Sequence, residues 1–388
     1  MKIGMYISPA HTVPPNEKNI LAPWILAGQL ADGLVGNHHD VTLFAAKGSA
    51  TLATLVHAGI KASVLSREEF GDLDAYRAYV LAQELSLMRE CIRKSKSRAI
   101  DILHIHHPIE KLYPALLAMP AATPIVITFH DPIAPERFPA LEKLHGLGNV
   151  HFVSLSASQQ NGVPFPFAGV VPNGVDTTLF HPDTDLPLHD HPFIMTGRIV
   201  EQKGFHDAIQ AVGKTGNRLC IIGQSYDHND AAKTYYEKQI VPNIDNARIM
   251  MEPVVKPGHL VGHYQAAKAL LFPIHWEEPF GLVMVEAMAC GTPVIAYNRG
   301  SVSEIVKDGV TGYIVDPPET DVQQEQHRQM RGSWKIKAPG VDGIVEAMNR
   351  IGDIKRAACR KHVEDHFSLS RMVQGYEDVY KKIRSATK

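Results

Sequence analysis

The sequence predicts an α/β protein built on doubly wound parallel sheets. Three observations carry this. Short β-rich runs alternate with helical stretches from end to end. Several of the runs are continuously apolar, as in Pro124-Ile125-Val126-Ile127-Thr128-Phe129, the pattern of a strand buried on both faces. The length of 388 residues is natural for two domains at roughly 100–200 residues each.

Taken in order, the first half reads as strands at 2–7, 41–44, 102–105, 125–129 and 151–155. The second half reads as strands at 193–196, 219–222, 248–251, 269–272, 293–296 and 312–315. Helical periodicity lies between them: Phe205, Ala208, Ile209 and Val212 form one apolar stripe. The alternation pauses over 172–192, where Asn173-Gly174, Pro182, Pro187 and Pro192 mark a linker. A second irregular region, 317–340, reads as a surface insertion, lid or plain solvated loop. The last helix opens at Ser368, a good N-cap. Leu369, Met372, Tyr376, Val379, Tyr380 and Ile383 then line one face, which must pack on something.

The charge balance excludes some functions. Lys plus Arg is 39 against 41 for Asp plus Glu, a net charge of −2, unlike the strongly basic domains that neutralise nucleic acid. Four widely spaced cysteines make no CxxC pair, which fits a reducing compartment. The apolar stretch 280–297 is broken by Glu286, Gly291 and Pro293, and the N-terminal run is too short for a signal-peptide core. The expected location is the cytoplasm. Histidine is in excess at 21 residues, so mild acid should change the surface charge greatly.

Three stretches carry chemistry. The first is Glu277-Glu278-Pro279-Phe280-Gly281-Leu282 followed by Glu286, Gly291 and Pro293. Pro279 suits the approach to a helix, and Gly291 with Pro293 ends one, giving a helix from about 281 to 290. Amides of Phe280, Gly281 and Leu282 then open a helix start that favours an anion. Carboxylates beside an anion site suit sugar or ribose hydroxyls; the alternative is a cap for Glu278 and a surface charge for Glu286. The second stretch is Gly197-Arg198-Ile199 with Lys203-Gly204, beyond a strand end, where a guanidinium and an ammonium can meet a phosphate or stay solvated. The third is Phe129-His130-Asp131, at another strand end. His104-Ile105-His106-His107 and the pair His259 and His263 invite a metal, but no further motif accompanies either, and the expectation is that no metal binds.

The stretch from Glu278 to Glu286 resembles the signature of retaining glycosyltransferases of family 4. Pro172-Asn173-Gly174-Val175-Asp176, Arg198 with Lys203-Gly204, Glu304-Ile305-Val306, Asp308-Gly309, Thr311-Gly312 and Phe367-Ser368 are similar to further stretches of that family. The resemblance covers 171–316 and 341 to the end well, and the first 170 residues mainly by strand order and Thr128-Phe129-His130. It implies a GT-B fold, two Rossmann-like domains facing across a cleft. Residues 1–172 would form the acceptor-side domain with the returning helix 368–388. Residues 173–367 would form the nucleotide-sugar domain.

The roles follow from the same resemblance. Arg198, Lys203, Phe280, Gly281 and Leu282 would bind the diphosphate. Glu286 would take the ribose, and Glu278 and His130 would act at the transferred sugar. The activity implied is retaining hexosyl transfer from a nucleoside-diphosphate sugar to a hydroxyl acceptor, without metal or other cofactor. A nucleotide-sugar-binding protein, a phosphorylase or an epimerase of the same fold are the alternatives. The acceptor is a sugar, glycan or lipid-linked group. Arg89, Arg93, Lys94, Lys96 and Arg98 offer a basic helix face, either solvated or a peripheral contact with the inner membrane face. Two departures stand out. Ser8-Pro9-Ala10-His11 runs through Pro14-Pro15 to Glu17 and Lys18 where the family carries Gly-Gly, and Ile222-Gly223-Gln224-Ser225 lacks a second glycine.

Overall fold

The computed structural model describes residues 1–15, 21–64, 69–106, 112–183, 191–225, 230–253, 257–318 and 334–386. Glu17, Lys18, His107, the linker residues 184–190 and most of the expected insertion (319–333) lie outside the described residues.

The chain forms two compact units, Met1–Gly174 with Leu369–Lys388, and Val175–Ser368. The first holds a seven-stranded sheet: β1 (Lys2–Ile7), β2 (Asp40–Phe44), β3 (Thr54–Val56), β4 (Ile102–His106), β5 (Ile125–Thr128), β6 (Val150–Ser154) and β7 (Gly169–Val170). Their spatial order is β3-β2-β1-β4-β5-β6-β7. The second holds β8 (Phe193–Ile199), β9 (Leu219–Ser225), β10 (Ile249–Glu252), β11 (Leu270–Phe272), β12 (Val294–Tyr297) and β13 (Gly312–Val315), in the order β10-β9-β8-β11-β12-β13. Every pairing is parallel. These are two Rossmann-like α/β units.

The continuous apolar runs are mostly central strands, with β13 at one edge of its sheet. All residues of β4, β5, β11, β12 and β13 are buried, because helices cover both faces. Two strands escape the sequence pattern. β3 and β7 are edge strands of three and two residues, too short to show a period. The sheets change direction between β1 and β4 and between β8 and β11. Ligands of open α/β sheets bind beyond the strand ends at such points.

The helices are α1 (Ala22–Gly36), α2 (Leu73–Lys96), α3 (Tyr113–Leu116), α4 (Phe138–His145), α5 (Phe205–Thr215), α6 (Asp230–Tyr235), α7 (Pro257–Gln265), α8 (Leu282–Ala289), α9 (Val302–Ile305), α10 (Gly340–Arg350), α11 (Arg356–His366) and α12 (Leu369–Ala386). The apolar stripe of α12 is buried in the first unit. A Cβ on Gly33 of α1 would sit 2.5 Å from Val373 Cγ2, so the glycine lets the two helices approach closely. Glu377 accepts from Asn37 Nδ2 at 2.8 Å and contacts His39 Nε2 at 3.0 Å; against the cost of burial, these bonds hold its carboxyl below the usual range. Tyr380 and Tyr376 reach His104 Nδ1 (2.7 Å) and Thr128 Oγ1 (3.1 Å).

In the second unit, two arginines of α11 fix its helices. Arg356 donates to the carbonyls of Ala267 (2.8 Å) and Gln265 (2.9 Å) and to Thr292 Oγ1 (2.7 Å). Arg360 donates to the carbonyls of Thr177, Phe180 and Ala289. A half-buried guanidinium can spend its several N–H groups on carbonyls at helix ends, such as Gln265 and Ala289, and in loops, such as Thr177 and Phe180. Arg89, Arg93 and Lys96 stand exposed on α2, with Arg93 paired to Glu90 at 2.8 Å; Arg98 lies beyond the helix end. No described helix is long and apolar enough to cross a membrane.

Candidate functional site

β8 runs three residues further than the sequence pattern shows, through the pairs Gly197↔Gly223, Arg198↔Gln224 and Ile199↔Ser225. Arg198 therefore projects from the strand's last residues rather than from the loop, and it is exposed. A tight turn, Glu201–Lys203, leads to Gly204 at φ +71°. A Cβ on Gly204 would lie 1.8 Å from the Pro273 carbonyl oxygen, so only glycine lets this turn close on the chain leaving β11. The His275 amide then donates to the Gln202 carbonyl at 2.8 Å. The two loops flanking the β8/β11 crossover are thus stitched together.

That seam brings Lys203 to Glu278. Nζ lies 2.6 Å from Oε2, and the side chains are only 16% and 12% exposed. Trp276 Nε1 donates to the same oxygen at 2.9 Å, and the Lys203 ammonium stands 4.8 Å from the Trp276 ring centre. Glu278 does not cap α8. Its main chain is held instead by Ser301, whose amide donates to the Glu278 carbonyl at 2.9 Å. Glu277 accepts from the Gly300 amide (2.7 Å) and Arg299 (3.2 Å).

α8 begins one residue later than the sequence suggests. Gly281 is its N-cap at φ +78° with no side-chain cap, and a Cβ there would meet Met284 Cε at 2.6 Å. Leu282 and Val283 are accordingly the first helical residues, and a helix of this type leaves its first amides without internal acceptors. Phe280 precedes the cap; its ring is buried and packs edge-on to Phe367. Uncapped amides and the helix dipole make this end attractive to an anion.

Glu286 is no surface charge. Tyr264 donates to Oε2 at 3.2 Å, and Tyr264 itself meets Thr196 Oγ1 at 3.1 Å. Burial pushes the Glu286 carboxyl up to about 7, with the Tyr264 hydrogen bond opposing.

In the first unit, the crossover lies beside Ile7 and His106, which pair in register. His130 follows β5, and its Nε2 is 3.1 Å from His106 Nδ1. His104 is held between Tyr380 and Thr128, and burial lowers its pKa to about 3. Where the sequence departs near residue 8, Tyr6 and Ser8 both donate to Glu84, a carboxyl on α2 whose pKa is raised by burial.

Sequence reasoning missed Trp276, Glu84 and the cluster of Asp207 with His275 (3.0 Å), Tyr297 (2.8 Å) and His206 (3.5 Å). The sequence signals were the aromatic just before Glu277 and the adjacent pair His206-Asp207 on α5; the other partners come from separate elements. Among the described residues, two groups have the composition and spacing of metal ligands: His206 with Asp207 and His275, and Cys220 with Glu252 and His263. His263 is drawn to Glu252 (3.4 Å), across from α7.

The sequence and the fold have known counterparts. The family model "Glycosyl transferases group 1" matches residues 176–331, and "Glycosyltransferase Family 4" matches residues 25–179. A D-inositol 3-phosphate glycosyltransferase of Acidothermus cellulolyticus is 30% identical over 38% of this chain and 36% of its own length. The chain spans from 36% to 64% of the length of the curated relatives it matches. A sucrose-phosphate synthase from Thermosynechococcus elongatus has a similar fold, with TM-score 0.68, 20% identity and 99% of both chains covered. Anabaena Alr3699/HepE, solved with UDP and glucose, gives TM-score 0.64 at 16% identity, covering 98% of this chain and 99% of that one. The chain belongs to the family 4 type of glycosyltransferases and has the GT-B fold.

Proposed function

We propose that this protein transfers a hexose from a nucleoside-diphosphate sugar to a hydroxyl acceptor, with retention and without a metal. The observation that carries the reading is the convergence of Lys203, Glu278 and Trp276 in one unit that also holds the open start of α8. As the glycosidic bond breaks, the leaving diphosphate gains negative charge. Arg198, Lys203 and the amides at Leu282 and Val283 stabilise that charge, the task a divalent ion performs elsewhere.

The Lys203–Glu278 pair suggests how the site changes hands. A diphosphate offers Lys203 a more highly charged partner than one carboxylate. Its arrival frees Glu278, still held by Trp276, to accept sugar hydroxyls. Glu286, buried beside Tyr264 in the same unit, takes the ribose hydroxyls. Retention then follows from front-face attack, with the leaving phosphate oxygen receiving the acceptor's proton.

The test is thermal-shift titration with UDP, GDP and ADP, UDP first because a structural neighbour holds it. Slow hydrolysis of the matching nucleoside-diphosphate glucose follows, with the anomer resolved by NMR. Stabilisation by one nucleotide, release of the α-sugar from an α-donor, and activity undiminished in EDTA are expected. No stabilisation by any of the three refutes the donor site. Activity lost in EDTA and restored by manganese refutes the metal-free mechanism.

A further inference from the structure

The second unit holds a cluster that the proposed transfer does not use. β10 is the edge strand of its sheet, paired with β9 so that Met250 stands opposite Cys220 and Glu252 opposite Ile222. Side chains alternate along a strand, so Cys220 and Glu252 share one face. α7 brings His263 to the same place. One thiol, one carboxylate and one imidazole each offer a donor atom there, all within 4.8 Å of one another. His259, one turn earlier on α7, is exposed and lies outside the group.

As partners for each other the three fit poorly. His263 Nε2 is 3.4 Å from Glu252 Oε2, beyond the usual range of an N–H···O bond. Cys220 Sγ is 3.9 Å from Glu252 Oε1, and a thiol is a weak donor. As ligands of one ion they fit well. Bonds of about 2.3 Å to sulfur and about 2.0–2.1 Å to nitrogen and oxygen put neighbouring corners of a tetrahedron about 3.3–3.6 Å apart. The nitrogen–oxygen edge has that length already, and the sulfur–oxygen edge exceeds it by a few tenths of an ångström. The carboxylate turns one oxygen to each neighbour, so an ion between them meets all three groups.

Exposure suits this reading. Cys220 is 5% exposed, whereas the Glu252 and His263 side chains are 44% and 28% exposed. The sulfur is the floor of the cluster, and the open side leaves a corner for water and a way in. Without an ion, burial and then the Glu252 charge push the Cys220 thiol up to about 12. A bound ion displaces that proton to solvent and sits between two groups that would otherwise repel as anions. The donor set also selects the metal: thiolate with imidazole and carboxylate suits Zn²⁺, whereas Mg²⁺ and Ca²⁺ take oxygen ligands.

We propose that Cys220, Glu252 and His263 form a zinc site, with water as the fourth ligand, that braces the edge strand β10 against β9 and α7. Cys220 lies four residues before Gln224, the partner of Arg198, which is about 13 Å along the strand. The brace takes no part in the transfer chemistry, and the inference does not depend on the function proposed above.

The test uses the full chain, stripped of metal with EDTA under reducing conditions and titrated with Zn²⁺ or Co²⁺ alone. One Zn²⁺ per chain with micromolar affinity or better is expected. Co²⁺ should give tetrahedral visible bands and a thiolate charge-transfer band. The group of His206, Asp207 and His275 has no sulfur, so it cannot give that band, and loss of the band in Cys220→Ser assigns it. Cys220→Ser, Glu252→Ala and His263→Gln should each weaken Zn²⁺ by at least about 100-fold, more than the roughly 10–100-fold worth of an outer-shell residue. Zn²⁺ at about 100 times its Kd should raise Tm by roughly 3–7 °C in the parent and not in the variants. The metal-free Tm of each variant shows that it folds; Glu252→Ala and His263→Gln change partly exposed side chains and decide the matter if Cys220→Ser does not fold. No saturable zinc binding, a cobalt complex without the thiolate band, or binding that the variants retain, which marks an adventitious surface ion, overturns the site.

Discussion

Glu286 offers a sharp test, because its function and its ionisation pull against each other. Its carboxyl titrates at about 7 when folded, against 4.5 as the ordinary value. The raised value means the folded state holds this proton more tightly than the unfolded state. The stability it confers is present in full below about pH 4.5 and is lost as pH rises through about 7; the whole loss is roughly 3 kcal/mol. Ribose hydroxyls reverse this, since they donate to the ionised form. About a tenth of the carboxyl is ionised at pH 6 and about nine-tenths at pH 8, so nucleotide affinity should rise about tenfold across that interval. Isothermal titration with UDP, or whichever nucleotide the shift screen selects, measures this. Buffers of different ionisation enthalpy should show about half a proton released per nucleotide at pH 7. The diphosphate has its own ionisation, so Glu286→Gln is the control. It should bind about 10–100-fold more weakly at pH 8, the worth of a charged hydrogen bond, with a correspondingly flatter pH dependence. The variant should also be more stable than the parent at pH 8 without ligand. An identical pH slope in both proteins, or affinity that falls with rising pH, would refute the ribose role.

Three further outcomes are expected. Lys203→Ala should lower the hydrolysis rate about 10²–10³-fold, by analogy with loss of one charge-stabilising donor, while Trp276 fluorescence reports that the loop persists; a loss under about threefold removes Lys203 from the diphosphate. Gly204→Ala puts a methyl group 1.8 Å from the Pro273 oxygen at φ +71°, so urea denaturation should show a loss of more than about 2 kcal/mol. Asp207→Asn should cost about 1–3 kcal/mol at pH 7, since a buried carboxylate serving His275 and Tyr297 is exchanged for an amide. Hydrogen bonds from those partners and the nearby imidazoles hold Asp207 below its usual pKa despite burial. Its contribution is thus present above about pH 4 and lost on acidification, so the gap between variant and parent should close in acid.

Much of the second unit was visible in the chain itself. The strand beginning at Phe193, the helix ending before Gly291 and the loop between Trp276 and Gly281 are local events, governed by apolar runs, Pro279 and glycines. The first unit was less so. β3 and β7 are too short for a period, and Glu84 lies 76 residues from Ser8, whose hydroxyl it accepts. Of the histidine excess, the structure gives structural partners to His104, His106, His206 and His275. Apart from Asp207, which neighbours His206 on α5, each partner comes from another element of the same unit.

The sequence by itself determined the class of fold, the alternation of elements, and which residue types stand at the strand ends. These depend on burial period, helix termination and backbone freedom, all properties of neighbours along the chain. Only tertiary structure decided that Lys203 and Glu278 share one oxygen with Trp276, that Glu286 lies deep enough to titrate near neutrality, and that His106 meets His130 end to end. Desolvation and hydrogen-bond geometry depend on atoms that folding brings in from distant positions, and no local pattern records them.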